Sequence, residues 1–135
     1  MEVGVIRQKV VLDASPADVF DAYTDPKKHA AFTGQKATGT AKVGGKFTAG
    51  DGYSSGKYLE LKRGKMIVHE WKTSEWPAGY GPSLMTITLA EKGKKTVLSM
   101  VQSKVPKAQV AYYTEGWKEF YWEPLKKYFA ALDDR

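Results

Sequence analysis

The last third of the chain carries a helical period of apolar positions. At 100° per residue, Val110, Thr114, Trp117, Tyr121, Leu125, Tyr128 and Leu132 fall on one broad face, flanked by Tyr113, Phe120 and Pro124. Glu115, Glu119, Glu123, Lys126 and Lys127 lie opposite. The pattern predicts one long helix from Pro106 to Leu132, about 40 Å in length at 1.5 Å per residue, enough to cross a small domain. Gly116 inside such a helix costs about 1 kcal/mol relative to alanine, and Pro124 about 3 kcal/mol. A close backbone approach at Gly116 and a kink at Pro124 are therefore expected.

Upstream the period is two. Ile6, Gln8, Val10 and Leu12 share one face of a first strand within Gly4 to Leu12. Asp13 to Asp18 reads as a helix start, with Ser15 as cap, Pro16 at the first helical position and Asp18 in the first turn. Val19, Phe20 and Tyr23 supply its apolar stripe; Asp25-Pro26 ends it and begins a second short helix through His29 and Phe32. From Gly34 onward, glycines punctuate short segments as hairpins do. Strand pairs are expected across Val43-Gly44-Gly45, Lys62-Arg63-Gly64 and Glu91 to Lys94, with a loop over Trp76 to Pro82. The order is β-α-α, then six strands, then the long helix. The expected fold is α+β: a curved antiparallel sheet of about six to seven strands wrapped around the C-terminal helix, in one domain spanning residues 1–135. A curled sheet closed by one helix leaves an interior volume, the natural place for a ligand.

Composition narrows the chemistry. Cysteine is absent from the 135 residues, which excludes disulfides, thiolate catalysis and cysteine-bound metals. Charged residues break the first twelve positions, so they do not read as a signal peptide, and no apolar run approaches the ~20 residues of a membrane helix. A cytoplasmic location is expected, with no membrane partner. The net charge of +6 comes from 21 basic and 15 acidic residues, with the lysines scattered as on a solvated surface. No basic cluster is interleaved with aromatics in a nucleic-acid module, so no nucleic acid is expected.

No catalytic set stands out. His29 and His69 lie in different elements without metal-ligand spacing; His29 is expected on an exposed helix surface and His69 as a satisfied structural histidine in an apolar strand. No Gly-x-Ser-x-Gly elbow occurs, and Gly44-Gly45 and Gly50-Asp51-Gly52 lead into strands rather than a phosphate-binding helix. No metal and no cofactor are implied. The aromatics remain. Phe47, Tyr58, Trp71, Met85, Ile87, Trp117 and Tyr121 are the candidate cavity wall, and Tyr112 and Trp122, at the edge of the polar helix face, are candidate partner-surface residues.

Several stretches carry a family resemblance. They are Ala14 to Phe20, Gly44-Gly45-Lys46-Phe47, Gly56 to Leu61, Ile67-Val68-His69-Glu70-Trp71, Trp76-Pro77, Val105-Pro106, Glu115-Gly116-Trp117 and Tyr121-Trp122. In this order and spacing they resemble START-like (SRPBCC, helix-grip) proteins. The branch is the one related to the C-terminal domain of the activator of the ninety-kilodalton heat-shock protein (Hsp) ATPase. The resemblance runs from about Val5 to Leu132 and implies the helix-grip fold. The eukaryotic activators carry a further N-terminal domain ahead of this one, whereas here the fold is expected to begin within the first few residues. The function implied is a non-enzymatic chaperone-accessory or stress-related protein with a heat-shock chaperone or other protein as partner. The alternative is a carrier or sensor of a small hydrophobic ligand held between sheet and helix. Some superfamily members are enzymes, but no acid–base pair here supports that reading.

Overall fold

The computed structural model describes residues 2–133. Strand β1 (Val3–Leu12) is followed by helices α1 (Pro16–Thr24) and α2 (Pro26–Thr33). Six strands come next: β2 (Thr38–Gly39), β3 (Lys46–Ala49), β4 (Ser54–Lys62), β5 (Met66–Thr73), β6 (Ser83–Lys92) and β7 (Lys95–Pro106). A 3₁₀ turn (Lys107–Gln109) leads into α3 (Val110–Trp117), a π segment (Lys118–Trp122) and α4 (Glu123–Asp133). The predicted α+β order and both short helices are present, with seven strands among the described residues.

All strands form one antiparallel sheet in the order β1-β7-β6-β5-β4-β3-β2. It is a meander from β2 to β7, with β1 added beside β7. Alternation decides which face turns inward. Ile6, Val10 and Leu12 on β1, Ile67, His69 and Trp71 on β5, Met85, Ile87 and Leu89 on β6, and Leu98, Met100 and Gln102 on β7 are all buried. The C-terminal helix lies across this face and adds Tyr113, Trp117, Trp122, Leu125 and Phe129 to the same core. Each large apolar side chain so buried is worth roughly 1.5–3 kcal/mol.

The short helices are held as their sequence dictates. The Ser15 hydroxyl accepts from the Asp18 N–H at 3.2 Å and Pro16 opens α1. Asp25 ends α1 and caps α2, its carboxylate accepting from the Lys27 N–H at 2.8 Å, and Gly34 closes α2 at φ 76°. Among the described residues, no helix is long and apolar enough to cross a membrane.

The long helix departs from its predicted form in two places. Within Lys118–Trp122 the hydrogen bonds widen, and the Glu123 N–H reaches back to the Lys118 carbonyl, five residues away. Pro124 accounts for the position of this widening. It has no N–H to give the carbonyl four residues earlier, and its ring crowds that carbonyl in a regular α-turn. The second departure is at Gly116. A Cβ built there meets nothing within 4 Å, so no backbone approaches closely, contrary to expectation. The glycine borders open space.

Candidate functional site

The interior between α1, α2, β5 and the π segment holds a closed polar network. The His69 Nδ1–H donates to the Glu70 carbonyl at 2.8 Å, which leaves Nε2 to accept from the Tyr23 hydroxyl, also at 2.8 Å. The His29 Nδ1–H donates to the Tyr23 carbonyl, and its Nε2 accepts from the Tyr121 hydroxyl, both at 2.8 Å. His29 is buried, not exposed as its sequence position suggested, because α2 folds back so that its ring packs against Tyr23, Phe32 and Tyr121. Burial holds both imidazoles neutral, pushing His69 down to about 4 and His29 below its ordinary value. The same burial raises Tyr58 to about 12 and pushes Tyr23 and Tyr121 up as well. Every ring nitrogen has a partner, so the network joins the helices to one another and to the sheet. Among the described residues no group of three His, Asp or Glu could hold a metal ion.

Beside this network lies a cavity of about 730 Å³ between the sheet and the start of the C-terminal helix, within the range of small-molecule sites. Its inner wall is Trp71, Tyr113, Trp117 and Tyr121, and its outer rim includes Gln35, Gly50, Tyr53, Tyr112, Glu119 and Phe120. The Trp71 and Trp117 rings stand 5.1 Å apart, and those of Trp117 and Tyr121 stand 4.7 Å apart. Trp71 and Tyr121 also border a gap of about 10 Å³ near Phe47, Tyr58 and His29, room for about one water.

The predicted wall residues therefore separate into three groups. Trp71, Trp117 and Tyr121 line the large cavity, and Phe47 and Tyr58 line only the small gap. Met85 and Ile87 are fully buried and line neither, because they belong to the solid core on the inner face of β6. Tyr112 is 60% exposed at the cavity rim, and so is Phe120, which sequence reading placed at the flank of the core face. Trp122 is a correction. It is 3% exposed, stacked on Trp117 at 5.7 Å and 18°, and its Nε1–H donates to Gln8 Oε1 at 2.6 Å. A straight α-helix sets residues five apart 140° from each other, whereas the wide π turn brings Trp122 beneath Trp117.

The rim residues on the helix had a sequence signal of their own. Tyr112, Glu115, Gly116, Glu119 and Phe120 are spaced i, i+3, i+4, i+7 and i+8, a stripe beside the core face. Gly116 is the gap in that stripe, and its missing side chain keeps the cavity open.

With fold and cavity in view, likeness to known proteins is specific. The family model for Activator of Hsp90 ATPase homolog 1-like protein matches residues 13–130. The human Activator of 90 kDa heat shock protein ATPase homolog 1 is 33% identical over 115 residues, covering 85% of this chain and 34% of that protein. The chain thus spans about a third of the length of the curated relatives it matches. A solved structure from Chromobacterium violaceum is 30% identical, with a TM-score of 0.71 over 93% of this chain and 96% of that one. The Plasmodium falciparum protein described as an HSP90 activator superposes with a TM-score of 0.75 at 23% identity, covering 85% and 87% of the two chains, a likeness of fold. The chain belongs to the Activator of Hsp90 ATPase homolog 1-like family, on a START-like helix-grip fold.

Proposed function

We propose that this chain is a non-enzymatic chaperone-accessory module that engages an Hsp90-class ATPase in the cytoplasm. The observation that carries the reading is the family match across residues 13–130, nearly the whole grip. Tyr112 and Phe120 supply the contact: two large aromatic side chains, each 60% exposed, two turns apart on the helix. Exposed aromatics of this kind serve as anchors in protein interfaces. The chain as a whole carries a net charge of +6, which steers an acidic partner towards it. The test is to titrate the purified chain against the Hsp90-class ATPase of the same organism, following both calorimetry and ATP turnover. Micromolar binding with raised turnover is expected, and Tyr112→Ala with Phe120→Ala should weaken binding about tenfold or more while the fold persists. Unchanged turnover together with no binding at micromolar concentration would remove the reading.

The cavity supports a second reading, a carrier or sensor of a small apolar ligand. Its volume of about 730 Å³ and its aromatic wall are what such a ligand requires. Native mass spectrometry of freshly purified protein checks this directly. A retained or titratable small molecule is expected, and a protein that takes up none would sink it.

A further inference from the structure

The cavity has a charge and hydrogen-bonding character of its own. Among the described residues, its only ionisable lining groups besides tyrosines are Glu115 and Glu119, one turn apart at the mouth; no Lys, Arg or His lines it. On a chain of net charge +6 this is the reverse of the average surface. Glu115 stands 3.7 Å from Lys118, with both side chains exposed, and Glu119 makes no ion pair among the described residues. Tyr112 and Phe120 line the same mouth, and aromatic rings attract cations to their faces.

A second observation comes from the inner wall. Trp76, Trp117 and Trp122 donate their indole N–H groups to Gly81 O, Gln102 Oε1 and Gln8 Oε1 respectively. Trp71 is 5% exposed, and its Nε1–H has no partner among the described residues. Trp71 borders both the large cavity and the small gap, and a ligand oxygen in the cavity is one acceptor open to its N–H. A buried donor left without an acceptor is costly, and a ligand oxygen would satisfy it.

We propose that the cavity binds a monocationic amphiphile. Its flat apolar body lies against Trp71 and Trp117, an acceptor oxygen faces the Trp71 N–H, and an ammonium group sits at the mouth by Glu115 and Glu119. The proposal rests on the ligand reading above and adds the ligand's class. An anion meets two carboxylates at this mouth, and Lys118 beside them is already paired with Glu115. A polybasic segment would extend over a surface of its own sign. At physiological salt, screening within about 8 Å lets the local pair outweigh the distant lysines.

Three fluorescent probes sharing one naphthalene sulfonyl body separate the possibilities: dansylcadaverine (cation), dansylamide (neutral) and N-dansyl-6-aminohexanoic acid (anion). Titrated against the protein at about 0.15 M salt, the cation should bind about tenfold tighter than the anion, with dansylamide between. Glu115→Gln with Glu119→Gln should erase that order and leave dansylamide unchanged. Trp71→Phe should weaken all three about fivefold through loss of the donor. Gly116→Leu, which fills the gap in the stripe, should weaken all three alike, and melting curves verify that each variant folds. Equal affinities for the three probes, or the anion first, would overturn the charge assignment and leave the cavity reading standing. An unchanged Trp71→Phe would overturn the acceptor contact. No binding of any probe to the folded wild-type chain would remove both proposals.

Discussion

Trp122 combines volume and a polar tie. Its ring stacks on Trp117, and its N–H satisfies Gln8, whose own amide donates to the Thr114 carbonyl at 2.8 Å. Trp122→Ala is therefore expected to destabilise by about 3–5 kcal/mol, as Trp117→Ala should. Trp122→Phe keeps most of the volume but orphans Gln8 Oε1, at about 1–3 kcal/mol. Denaturant melts read both, and a near-wild-type midpoint for Trp122→Ala would contradict its burial. Gly56 is constrained differently. A Cβ there would fall 1.9 Å from the Glu70 carbonyl oxygen and 2.5 Å from the Phe47 ring, so Gly56→Ala should cost about 1–3 kcal/mol or more by the same measurement. Sequence alone made Gly56 one turn glycine among many. Its real constraint is a ring from β3 and a backbone from β5, which only sheet pairing brings together.

At the scale of elements, the π segment is an α-helix carrying one extra residue. In a regular helix, residues four apart lie 40° from each other. Removing the exposed Glu119 would thus leave Trp122, Leu125 and Phe129 on their present face. Pro124 would then sit within a regular α-turn, at a cost of about 3 kcal/mol. Deletion of Glu119 together with Pro124→Ala is accordingly expected to fold and to lose less stability than Trp122→Ala. Unfolding of that double variant would show that the wide turn is itself required. The apolar period predicted a helix here and Pro124 predicted a disturbance. Neither fixed the direction in which the extra residue would turn Trp122, because that depends on Gln8 waiting on β1.

Across the whole molecule, the Tyr23–His69 and His29–Tyr121 hydrogen bonds tie both short helices and the C-terminal helix to the sheet. They carry a pH dependence whose sign follows from burial. His69 titrates near 4 in the folded chain and near 6.5 when unfolded, so between these values the unfolded state holds the extra proton. Stability is thus fully present above about 6.5 and falls as pH drops towards 4, by roughly 3 kcal/mol for this group. His29, also depressed, acts in the same direction. Urea melts between pH 7 and 4 should show the loss, and His69→Gln should flatten it; a flat profile in the wild type would show that His69 is not held neutral.

Local rules were enough for the elements. Alternation on β1, the Ser15 and Asp25 caps, the glycine-marked hairpins and the helical period after Pro106 each depend on neighbours within a few positions, and together they specify a helix-grip order. Which of two apolar strand faces turns inward is a cooperative choice, and so is the cavity that remains when packing is incomplete. Met85 and Ile87 were indistinguishable by type from Trp71, yet they lie under solid core while Trp71 faces open volume. Gly116 shows the division most plainly. As a residue it promised a close approach, and only the assembled sheet and helix reveal that nothing comes near it, leaving its missing side chain as part of the cavity.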